Sequence, residues 1–103
     1  MARTPLVWSA PPAADPEAIA WTYVKGARGI PGVLRVWADI RDGRLRIVTL
    51  IAGHLDLQRK VHEVELGVLR AWPDAPIEFT LLWKGDQLPS GLSDEDLVHS
   101  SSP

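Results

Sequence analysis

The residues in this chain best suited to chemistry are histidines and the carboxylates near them. His54 and Asp56 lie two apart, and His62 and Glu65 lie three apart. Imidazole and carboxylate together suit zinc, so His54, Asp56, His62 and Glu65 form a candidate metal set. A plainer reading competes with it. His62 falls on the polar side of a surface helix beside Glu63 and Glu65, and His54 falls in a loop. The sequence favours that plainer reading, and His99, near the C-terminus, is assigned no role.

Other chemistry has less support. There is no cysteine, which excludes disulfides, thiolate nucleophiles, iron–sulfur ligation and Cys-type zinc sites. No Gly-x-Ser-x-Gly elbow occurs, and Ser9, Ser90 and Ser93 lie in loops or tails. Asp39 and Asp42 flank a hairpin, and its turn needs Asp42. Gly26, Gly29 and Gly32 follow a helix and do not link a strand to one, so they form no phosphate-binding loop. The chain reads as non-enzymatic, and no cofactor is implied.

The elements that must carry these residues fit one domain of 103 residues. With 46% hydrophobic and 23% charged residues the chain has an ordinary globular composition. A net charge of −2 argues against a general nucleic-acid trap. No signal peptide or membrane span is read, and the lack of cysteine suits a reducing compartment, so a cytoplasmic location is expected. Residues 1–14 read as an extended arm, with an optional edge strand at Leu6–Trp8. Residues 15–85 read as the domain, and residues 86–103, acidic and Ser-rich, as a flexible tail.

Within the domain, Asp15 is a candidate N-cap with Pro16 at the first helical position. Ile19, Tyr23, Ala27 and Ile30 form one apolar stripe. Val33–Ile40 and Arg44–Ala52 read as strands joined by Asp42-Gly43, which supplies the positive φ angles of a type I′ turn. Leu34, Val36, Ala38 and Ile40 point one way, and Arg35, Trp37 and Asp39 the other. A second helix is expected with Asp56 as cap and Leu57, Val61, Val64, Val68 and Trp72 as its stripe, broadened by Leu69. Gly67 is expected to permit close approach to the sheet. Trp72-Pro73 stops that helix, and Ile77–Lys84 alternates as a third strand. The fold class is α+β, a two-layer sandwich with helices on one face of an antiparallel or mixed sheet.

Parity leaves Trp37, Val48, Leu50 and Leu82 on the face away from the helices. An antiparallel sheet open on one side normally shows polar residues to water there. An apolar patch of this kind marks an interface. The reading is a homodimer through that exposed face, with Arg35 and Arg46 at its rim. The competing occupant is the N-terminal arm, through Leu6 and Trp8. A small-molecule or single-strand nucleic-acid site around Trp37 is the other alternative. Net negative charge and one aromatic on the face weigh against nucleic acid.

Ile30-Pro31-Gly32-Val33, a hairpin, Leu55-Asp56-Leu57, Val64-Glu65, Val68-Leu69-Arg70, Trp72-Pro73 and a final strand follow in order. This pattern, over roughly residues 16–84, resembles the C-terminal cytosolic domain of cation diffusion facilitator metal transporters. The resemblance implies a ferredoxin-like α-β-β-α-β domain that dimerises and tunes a transporter by binding metal. The histidines that bind metal in that family would fall at or near Trp37, Thr49, Gln58 and Thr80, none of them a histidine here. The transmembrane half is absent from this chain. The leading expectation is therefore a non-enzymatic cytoplasmic interaction or dimerisation module. The alternatives are a metal-binding regulatory domain and a ligand site at Trp37.

Overall fold

The computed structural model describes residues 15–53 and 55–101. The expectations for residues 1–14 and for His54 lie outside the described residues. The chain runs α1 (Pro16–Ala27), β1 (Val33–Arg41), β2 (Arg44–Ile51), α2 (Leu55–Ala71), β3 (Ile77–Trp83) and β4 (Leu97–Ser100). A short 3-10 turn at Asp94–Asp96 precedes β4. The protein is α+β, with two helices and one four-stranded mixed sheet in the order β3-β2-β1-β4.

Local chemistry sets these boundaries. The Asp15 carboxylate accepts the Glu17 N–H at 3.1 Å, and Pro16 opens α1 where no helical donor is lost. Asp42 and Gly43 hold φ at 55° and 78° and close the β1–β2 hairpin. β1 and β2 pair antiparallel, with Trp37 opposite Val48 and Asp39 opposite Arg46. The crossover through α2 then lays β3 parallel to β2, with Arg46 beside Glu78 and Ile51 beside Trp83.

Both helices cover one face of the sheet. Ile19, Tyr23, Val24 and Ala27 of α1 join Leu57, Val61 and Val68 of α2 over Val33, Val36, Leu45, Ile47 and Ile51. At about 0.8 kcal/mol per buried methylene, this layer supplies most of the driving force for folding. The helices approach closely at Gly26, where an added Cβ would lie 2.9 Å from Val64 Cγ1. Gly67, expected at a close approach, has nothing within 4 Å. Asp56 lies inside the first turn of α2 and is not its cap. Leu69 is 36% exposed and lies off the buried stripe. A register shift between Val33 and Arg35 places Val33, and not Leu34, in the core cluster.

The C-terminal segment differs most from its composition. Residues 86–101 contain β4, which pairs antiparallel with β1 through Arg35–Ser100, Val36–His99 and Trp37–Leu97. The strand beside β1 thus comes from the C-terminal end of the domain. The Ser93 and Asp96 side chains form a capping box ahead of it, and the Arg41 guanidinium donates to the Ser90 carbonyl.

Candidate functional site at the open edge of the sheet

The face expected to be an exposed interface is closed. Trp37, Val48 and Leu82 are 3%, 0% and 8% exposed. Leu50, Leu92 and Leu97 pack against them. The apolar patch that parity implied is present, but the chain's own C-terminal segment lies on it. Leu50 is half-buried and Arg35 is exposed. Arg46 is buried and makes a two-pronged contact with Asp39, Nε to Oδ1 at 2.9 Å and Nη2 to Oδ2 at 2.8 Å. That pairing keeps the guanidinium charged, with Glu78 and Asp96 adding to the effect. A homodimer through this face, or a base stacked on Trp37, would have to displace the cover. The composition of residues 86–103, rich in Ser and acid, hid the two leucines that form it.

The opposite flank is less well covered. β3 is an edge strand. The Leu45 N–H donates to the Pro76 carbonyl at 2.9 Å. In a parallel ladder this aims the amides of Glu78, Thr80 and Leu82 at β2, and those of Ile77, Phe79, Leu81 and Trp83 away from it. The Trp83 N–H is taken by the Asp86 carboxylate at 2.9 Å. No described residue bonds the outward groups of Ile77, Phe79 and Leu81. An apolar edge without Pro, Lys or a bulge is a template for another strand.

Above this edge lies an open groove of about 540 Å³. Leu55, Gln58, Arg59, His62 and Glu65 of α2 form one wall, and Phe79 and Leu81 of β3 the other. Phe79 is half-buried and anchored by Tyr23, with ring centroids 5.6 Å apart. Leu55 stands 79% exposed at the groove's end. His62 Nδ1 lies 3.2 Å from Glu65 Oε1. Burial raises the Glu65 carboxyl above its ordinary value, and the His62 contact opposes that. The groove is therefore mixed, with Leu55, Phe79 and Leu81 as its apolar part and Gln58, Arg59 and the His62–Glu65 pair as its polar part.

For metal, the structure unites half of the candidate set. His62 and Glu65 meet, but among the described residues no three His, Asp or Glu side chains gather to hold an ion. Asp56 does not join the pair, and His54 is outside the described residues. Sequence reasoning missed Gln58, Arg59, Phe79 and Leu81 as groove residues. Ile77-Glu78-Phe79-Thr80-Leu81 did carry a signal, apolar residues at alternate positions with no proline or lysine within the strand. Among the described residues, no helix is long and apolar enough to cross a membrane. Comparison with protein families, curated proteins and solved structures finds no match.

Proposed function

We propose that the chain is a non-enzymatic interaction module whose recognition surface is the open edge of β3 with the adjoining flank of α2. The observation that carries this is the run of outward groups at Ile77, Phe79 and Leu81 with no partner among the described residues, beneath a groove of mixed polar and apolar lining. Strand addition satisfies such groups and gains side-chain pockets at alternate positions. This keeps the interaction role expected from the sequence and moves it from the broad sheet face to the sheet edge. The element order α1-β1-β2-α2-β3 supports a ferredoxin-like reading of the domain. The likeness to the cytosolic domain of cation diffusion facilitators rests on the sequence pattern, and in that family dimerisation belongs to function. Metal sensing is not carried over, because the ligand positions of that family hold other residues. The test is amide hydrogen exchange on the dilute chain. Phe79 and Leu81 should exchange far faster than Thr80 and Leu82. Equal protection at all four would mean the edge is closed, and the reading would fail.

A further inference from the structure

Resting on that reading, the geometry points to a second copy of this chain as the occupant, its β3 antiparallel to the first and centred on Phe79. The open stretch has natural bounds. The Trp72 carbonyl holds the Ala75 N–H at one end, and Asp86 holds the Trp83 N–H at the other. Between them, the outward groups belong to Ile77, Phe79 and Leu81. A two-fold axis at Phe79 sets Ile77 opposite Leu81 of the second copy and Phe79 opposite its equivalent. Every open donor and acceptor then has a partner, and apolar meets apolar at each outward position. A patch that complements itself in this way makes a closed, isologous pair.

Charge agrees with this register. Glu78 comes opposite Thr80, so no like charges face each other, and Glu78 already lies beside Arg46. In the turns that flank the strand, the two-fold brings the Lys84 end of one copy near the Asp74 end of the other, twice by symmetry. Both residues are exposed. Along the α2 flank that lines the groove, Leu66 and Leu69 follow His62, and each is 36% exposed. They stand where they can cover the new strand pair. An unrelated peptide would satisfy the same backbone groups, but it has no reason to place lysine and aspartate at those two ends.

The test joins sedimentation equilibrium with amide exchange on the full chain. The parent should form a dimer as concentration rises, with the Phe79 and Leu81 amides gaining protection in step. Leu81→Pro removes the outward donor, and Leu81→Ala removes only the side chain. The proline variant should associate at least about tenfold more weakly than the alanine variant. Lys84→Asp should weaken the dimer, and adding Asp74→Lys should restore it. Monomer at every concentration with exposed β3 amides would overturn the second copy and leave the edge reading standing. Monomer with protected amides would overturn both. If deleting residues 2–14 then exposed them, the occupant would be the N-terminal segment. A dimer indifferent to Leu81→Pro and to the charge exchange would overturn this interface.

Discussion

The Tyr23 and Thr49 hydroxyls meet at 2.6 Å inside the helix–sheet core. Both side chains are buried, so each is the other's means of satisfying a polar atom away from water. Burial also pushes the Tyr23 hydroxyl to higher pKa, and the Thr49 contact opposes that. On the sequence resemblance, a metal-binding histidine would fall at or near Thr49. Here it is a structural tie between α1 and β2.

Tyr23→Phe should destabilise the domain by about 1–3 kcal/mol, because the Thr49 hydroxyl loses its partner. Thr49→Val should cost a similar amount. The double variant should cost clearly less than the two singles together. Denaturant melts of the four proteins supply the comparison, and strict additivity would mean the bond contributes nothing.

Asp39→Ala should be more damaging than a surface change, since it strands the guanidinium of Arg46. Their side chains are only 10% and 11% exposed. Breaking such a pair costs about 3–5 kcal/mol where burial is complete. Glu78 and Asp96 act on the same guanidinium and soften the loss here. Asp39→Leu with Arg46→Met should recover most of the stability. A thermal melt of Asp39→Ala matching the parent would show that the pair is idle.

Trp37→Ala should unfold the protein more easily and leave its mass in solution unchanged. Truncating a buried tryptophan costs about 3–5 kcal/mol, which lowers the melting temperature of a domain this size by about 12 °C or more. Removing residues 88–103 should uncover the same patch and bring on binding of a hydrophobic dye. A Trp37→Ala protein that melts normally but dissociates would return the interface to the broad face.

Glu65 should give stability a pH dependence of definite sign. Its folded pKa is raised by burial, so the folded state holds the proton more tightly than the unfolded chain. The stability linked to this proton is fully present below the ordinary glutamate value of about 4.3. It is lost as pH rises through the raised folded value. Glu65→Gln should flatten that part of the curve. An unchanged slope in urea melts from acid to neutral pH would show that Glu65 stays solvated.

Much of the fold was legible because local rules and tertiary packing agree in it. Asp15-Pro16, Asp42-Gly43 and Trp72-Pro73 mark boundaries by backbone chemistry alone. The stripe Leu57, Val61, Val68 and the alternation in β2 locate the helix-facing core. The cover over Trp37 was not legible. Leu92 and Leu97 lie among polar and acidic residues and show no period, and only their pairing with distant β1 explains them. The groove was half legible. His62 and Glu65 stand at helical spacing, but their neighbours Phe79 and Leu81 arrive through the parallel crossover. No local signal fixes that contact.

The late cover on the sheet has a consequence for how the chain is made. A protein is synthesised from its N-terminus, and Trp37, Val48 and Leu82 all precede Leu92 and Leu97. When the first three strands can already associate, the residues that seal their outer face have yet to leave the ribosome. For that interval the nascent domain presents a tryptophan-centred sticky surface, the kind of transient exposure that engages chaperones or leads to aggregation. A lesion confined to residues 88–97 would therefore act first on yield in the cell, through nascent chains that never shut.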